Sequence, residues 1–219
     1  MNESWKSFII QSLSVILGIF ITFAIQGMID RSHDRKEVKS AMWLVRTELT
    51  TNLEDITTIK EFLRQERKSA QYFVDHSQDI DSCPSDSIDY HSGIILADVN
   101  ATVINDALEL LKSSSLFQKL GSSLLSMKII RAYDSCQMAV DIINRHFADR
   151  NARFENSINE SNVKRFAGDG SIDISDYIKS DYGLYSVKWL TNQVVADQIE
   201  DVSDIQDALK AIDDFLRRQ

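Results

Sequence analysis

The chain has 219 residues and a formal net charge of −9, and about 190 residues lie beyond one apolar N-terminal run, enough for one domain with a sizeable core. The acidic balance excludes a nucleic-acid-binding surface. Only seven Gly and one Pro, Pro84, interrupt the chain, which favours long helices over a many-turned β fold.

After a short tail at 1–7, the stretch from Phe8 to Met28 reads FIIQSLSVILGIFITFAIQGM, and no side chain from Ser7 to Ile29 is charged. A helix needs roughly 20 mostly apolar residues to cross the hydrocarbon of a bilayer, where it satisfies its own backbone. A transmembrane anchor at 8–29 is therefore expected. A cleaved signal peptide fits less well. Only Lys6 is basic before the run, the apolar stretch is long, and no A-x-A pattern follows. A buried helix of a soluble core rarely stays free of charge for this length.

Gln11, Ser14, Gly18 and Thr22 follow one another at spacings of three or four and share one helix face with Ser7. The small-xxx-small pattern lets two membrane helices approach closely, and Gln or Ser then hydrogen-bonds across the contact. This face is the candidate for association with a second copy or with another membrane protein. Just past the run, Arg31, Arg35, Lys36 and Lys39 are placed to contact anionic lipid head groups, interspersed with Asp30, Asp34 and Glu37.

From Val38 the apolar residues recur at threes and fours: Met42, Val45, Leu49, Leu53, Ile56, Ile59 and Leu63. This is the stripe of an amphipathic helix, close to a heptad seam, continuing the anchor to about His76. Glu61, Arg64, Gln65, Glu66, Arg67 and Lys68 crowd its far end, where looser packing is expected. The Asp- and Ser-rich segment 77–100 reads as a long loop. Its Asp79, Asp81, Asp86 and Asp89 lack the ordered spacing and closing Glu of a calcium loop.

Asn100 is a plausible N-cap for a short helix carrying Val103, Ala107, Leu110 and Leu111, which the run Ser113-Ser114-Ser115 ends. A third helix is expected to about Ala148, with its seam at Leu120, Leu124, Met127, Ile130, Tyr133, Cys136, Val140, Ile143 and Phe147. Cys136 on that seam suits a buried free thiol, although two cysteines, Cys83 and Cys136, neither demand nor exclude a bridge. The stretch 149–182 reads as a second long loop, with a turn at Gly168-Asp169-Gly170 and a short helix near Ile172 to Ile178. From Gly183 a last stripe runs through Leu184, Val187, Leu190, Val194, Ile199, Val202, Ile205, Leu209, Ile212 and Leu216. Arg217 and Arg218 then sit at the negative end of the helix dipole.

These elements predict an all-α protein: an N-terminal transmembrane helix continuing into a long amphipathic helix, packed in a roughly four-helix antiparallel bundle over 30–219. No motif for catalysis, a cofactor or a metal is present. None of His33, His76, His91 and His146 follows a Glu by three residues, and there is no H-E-x-x-H, no cysteine cluster, no phosphate-binding glycine loop and no G-x-S-x-G. His146 with Asp149 and Arg150 is an acid–base candidate, though such clusters are far commoner as helix-end structure, and Asp141 near the same seam needs only a hydrogen-bonding role. The expected function is that of a membrane-anchored, non-enzymatic interaction or accessory subunit; the alternative is a sensor-like ligand-binding bundle signalling through a partner.

Three stretches resemble a family of bacterial single-pass membrane proteins with an N-terminal anchor and a helical bundle, to which no activity is attached. They are Leu13-Ser14-Val15-Ile16-Leu17-Gly18-Ile19-Phe20-Ile21 in the anchor, Leu110-Leu111-Lys112-Ser113-Ser114, and Arg131-Ala132-Tyr133. The departures are Met28 where the family has Trp, Ser115 where it has Gly, and Lys6 in place of a more basic tail. The resemblance implies the same architecture, with the bundle outside the cytoplasm. Lys6 before the run against four basic residues soon after it implies the opposite orientation. The expectation adopted is the cell (inner) membrane with the bundle on the periplasmic side.

Overall fold

The computed structural model describes residues 33–161, 173–199 and 202–218; of the residues before 33 it gives only the helical backbone of the first helix. Among the described residues there are helices and no strand, so the chain is all-α. Helix α1 spans Glu3–Asp75. Its buried stripe is Val38, Met42, Val45, Leu49, Ile56 and Leu63, continued by Ala70 and Phe73.

At the far end of α1 the chain makes a 3₁₀ turn, Ile80–Ser82, and turns back as α2, Ser85–Leu96. An extended stretch then leads into α3, Asp106–Ser113, and α4, Leu116–Lys119. Three contacts fix the direction of this descent: Asn52 with Ile104, Glu48 with Ala107, and Lys119 with Glu37. Gly121, with φ of +65°, takes the left-handed conformation that turns the chain upward again. Helix α5, Ser123–Ser161, climbs parallel to α1, because Tyr133 meets Glu48 and Arg150 meets Glu66. The last descent is broken: α6, Ile174–Lys179; α7, Asp181–Thr191; α8, Val195–Gln198; and α9, Ser203–Arg218. Asp204 opposite Ser135, Asp207 opposite Lys128 and Asp213 opposite Arg46 run α9 antiparallel to α5 and α1. The four passes alternate in direction.

Two cores hold the passes together. The larger lies between α1, α3, α5 and α9 and includes Met42, Leu49, Leu111, Ile129, Ile143 and Ile212. The smaller closes the far end with Phe73, Ile80, Ile95, Phe154, Tyr177, Ile178 and Leu190.

The extended stretch before α3 runs alongside helices, which offer no strand edge to pair with its peptides. Two asparagine side chains take that role. Asn52 donates to the Ile104 carbonyl at 2.8 Å and accepts from its N–H at 2.9 Å. Asn144 does the same for Ala101, at 2.9 Å in both directions. An amide carries one acceptor and two donors, so it can replace a neighbouring peptide unit.

Several expectations are corrected. The supposed loop at 77–100 contains α2, and α5 continues past Ala148 to Ser161. The helix expected from Asn100 starts at Asp106, because the asparagine pair holds the preceding residues extended. The final stripe is three helices. The early seam of α5 is shifted: Leu125, Ile129 and Ala132 are buried, while Leu124, Met127 and Ile130 are exposed. Apolar doublets at Leu124-Leu125 and Ile129-Ile130 satisfy either register, and packing against α9 chooses.

The association face Gln11, Ser14, Gly18 and Thr22 and the anchor at 8–29 lie outside the described residues, as does Arg31. No helix among the described residues is long and apolar enough to cross a membrane. Arg35 and Lys36 are exposed and Lys39 is half-buried. Both cysteines are free thiols.

Candidate functional site

The far end of α1 does not loosen where its charges crowd. Glu66 follows Leu63 by three residues and precedes Ala70 by four, so it falls on the buried stripe. It is 2% exposed and faces α5. There His146 and Arg150, four residues apart on one face, are 5% and 1% exposed. Glu66 Oε2 accepts from His146 Nε2 at 2.6 Å, and Oε1 accepts from Arg150 Nη1 at 2.8 Å. Arg150 Nη2 also donates to the Ala97 carbonyl at 2.7 Å, at the end of α2. Its Nε and Nη2 donate to Asn151 Oδ1, and Asn151 reaches Asp98. One charged pair thus ties α1, α5 and the α2 exit together.

Aromatic rings cover it. The Trp189 ring of α7 stacks on His146 at 5.9 Å with an interplanar angle of 10°. The Arg153 guanidinium lies 4.6 Å from the Trp189 ring. His146 and Arg153 stand two turns apart on α5, about 10.5 Å along its axis, and Trp189 fills that interval. Phe147 packs edge-on to His146 and lies under Arg150 at 4.7 Å.

A carboxylate only accepts hydrogen bonds, so the proton between His146 and Glu66 sits on Nε2. The other ring nitrogen is Nδ1. It is the one buried side-chain nitrogen or oxygen among the described residues without a hydrogen-bond partner. His146 lines two cavities, of about 40 Å³ on the Leu63–Arg67 side and about 130 Å³ on the Trp189 side.

Two further polar clusters are structural. Tyr133 donates to Glu48 at 2.6 Å, and burial, followed by that carboxylate, raises the phenol's pKa. At the far end His91 bonds Ser69 and stacks on Tyr72; burial and then the neighbouring His76 lower its pKa.

His33, Asp34 and Glu37 hold ligand atoms close enough for one cation. Lys119 Nζ already stands 2.7 Å from Asp34 and 3.2 Å from Glu37, and the group is exposed, so this is an ion-paired surface cluster. Of the sequence candidates, His146 and Arg150 come together, while Asp149 and Asp141 point outward as exposed residues. Glu66, the centre of the site, was hidden among five polar neighbours, Glu61, Arg64, Gln65, Arg67 and Lys68, and its place on the stripe was the available signal. No family model matches this chain, and no curated protein or solved structure does either.

Proposed function

We propose that this chain is a membrane-anchored, non-enzymatic helical protein acting as an interaction or accessory subunit. The observation that carries the reading is the continuity of α1. The charge-free run ends at Ile29, the buried stripe of the bundle starts at Val38, and no Gly or Pro stands between Gly27 and Pro84. A rigid helix that is both anchor and core strut transmits association in the bilayer to the bundle. The resemblance to anchored bacterial bundle proteins supports the same architecture.

In this reading Gln11, Ser14, Gly18 and Thr22 form the contact with a second copy or another membrane protein. Arg31, Arg35, Lys36 and Lys39 meet lipid head groups, and the bundle stands on the periplasmic side of the inner membrane. Replacing Gly18 with Ile tests it: association in a membrane two-hybrid assay falls if this face is the interface and is unchanged if it is not.

A specific observation favours a second reading, a sensor-like bundle that binds a small ligand and signals through a partner. It is the unpartnered Nδ1 of His146 beside a cavity. A thermal-shift screen of small metabolites on the full chain tests it, and the absence of any stabilising compound from a broad set counts against it.

A further inference from the structure

We infer that the cavity of about 180 Å³ between α1 and the extended stretch is a binding site for a small molecule carrying a primary carboxamide. It is separate from the His146 cavities and from the anchor, so neither reading above depends on it.

The ligand class follows from the way the stretch is held. Exposure alternates along it, with Ala101 and Val103 turned inward and Asn100, Thr102 and Ile104 outward, the period of an extended chain. In such a chain the N–H and C=O of one residue point to one edge, and those of the next residue to the other. Ala101 gives its pair to Asn144 on α5, and Ile104, three residues on, gives its pair to Asn52 on α1. Thr102 therefore points its N–H and C=O toward α1, as Ile104 does. Two residues back along the stretch is about 6.6 Å, and four residues up α1 from Asn52 is about 6 Å. The side chain at that level is Ile56, which has nothing to pair with a peptide unit. Among the described residues the main-chain groups of Thr102 have no hydrogen-bond partner, and neither has the carboxylate of Asp55. Both residues line the cavity with Ile56.

An amide is what the fold twice uses to close such a pair, and a third amide closes this one. A carboxamide oxygen accepts from the Thr102 N–H, and one amide hydrogen donates to the Thr102 carbonyl. A primary carboxamide has a second hydrogen, and the Asp55 carboxylate is its acceptor. A carboxylate ligand lacks both donors and is repelled by Asp55, while a tertiary amide lacks both donors. Ile56, Ile59, Val103 and Val140 make the remaining wall apolar. Asp55 and Thr102 are exposed and Ile56 and Val140 are buried, so the polar end lies at the mouth and the apolar end inside. An apolar cavity of about 150 Å³ holds benzene, so the space suits a small ring or a short aliphatic group.

Isothermal titration calorimetry on the full chain in detergent micelles, against micelles alone, tests the assignment with propionamide and benzamide as probes. Propionate, benzoate and N,N-dimethylbenzamide are controls. At least one carboxamide is expected to bind saturably with a dissociation constant of about 1 mM or tighter, and the controls about tenfold or more weakly. Asp55→Ala removes the acceptor for the second amide hydrogen, and Thr102→Pro removes the N–H donor. Each weakens binding by about tenfold. Asp55 is exposed, the Thr102 N–H bonds nothing among the described residues, and an extended Ala101 accepts a following proline, so both variants keep the fold. Protected amides at Ala101 and Ile104 verify that the stretch is still clamped. Asp134→Ala, exposed on α5 and outside the cavity, leaves affinity unchanged. No saturable heat from either carboxamide up to about 10 mM overturns the proposal. So does equal binding of a control, or unchanged affinity in Asp55→Ala or Thr102→Pro.

Discussion

Replacing Glu66 with Gln removes the carboxylate that, among the described residues, is the only one bonded to Arg150, and leaves a guanidinium, 1% exposed, without that counter-charge. The shape is conserved, so the change isolates the charge. Breaking a buried ion pair by neutralising one partner costs about 3–5 kcal/mol, because the other charge stays desolvated. Two facts place this site inside that range. Arg150 keeps neutral acceptors at Ala97 and Asn151, which soften the loss, while the His146 Nε2–H bond weakens with it. For a domain of about 190 residues each kcal/mol moves the midpoint by about 2–4 °C, so the melting temperature falls by roughly 6–20 °C. Thermal unfolding followed by circular dichroism in detergent measures this directly. The double replacement Glu66→Leu with Arg150→Met removes both charges and recovers most of the loss, since apolar substitutes for a buried pair are often neutral or stabilising. A shift below about 2 °C for Glu66→Gln would refute the claim that this pair is desolvated and mutually required.

Three other outcomes are expected. Gly183→Ala destabilises the far end by about 1–3 kcal/mol, because a Cβ there would stand 2.0 Å from the Tyr177 carbonyl oxygen, which is fixed backbone; an unchanged urea midpoint would show that α6 and α7 shift freely. Asn144→Leu leaves the Ala101 N–H and carbonyl unpaired at a buried residue and costs about 2–3 kcal/mol, read as faster amide exchange along 98–105 and a lower midpoint. Burial pushes the Cys136 thiol up to about 11 from its ordinary 9.0, so its neutral form is favoured by folding. The raised value means that this stability is complete below pH 9 and is lost as pH climbs from about 9 to 11, where the unfolded thiol ionises first. Urea midpoints taken across that range fall less steeply in Cys136→Ala, and a thiol reagent modifies half-buried Cys83 in the native protein while Cys136 reacts only on unfolding.

The helical class was legible because Gly and Pro are scarce and the stripes at 38–63 and 184–216 are long. The register of α5 was not, since apolar doublets fit either face and only the packing of α9 decides. The extended stretch 98–105 was unreadable locally: its partners Asn52 and Asn144 lie more than forty residues away in either direction. The segment 77–100 misled through its Asp and Ser content, although Pro84 before Ser85 is a sound helix start. At the site, the i, i+4 pair His146 and Arg150 was visible and its partner was not. Glu66 reads as one solvated charge in a run of charges until the position of Leu63 and Ala70 is followed through it.

The anchor is tested most directly by washing membranes from cells producing the full chain with alkaline carbonate, which strips peripheral proteins. The chain stays in the membrane pellet and is released only by detergent if 8–29 spans the bilayer. Recovery of the intact chain in the carbonate supernatant contradicts a spanning anchor, and with it the association of anchored copies from which the proposed function is built.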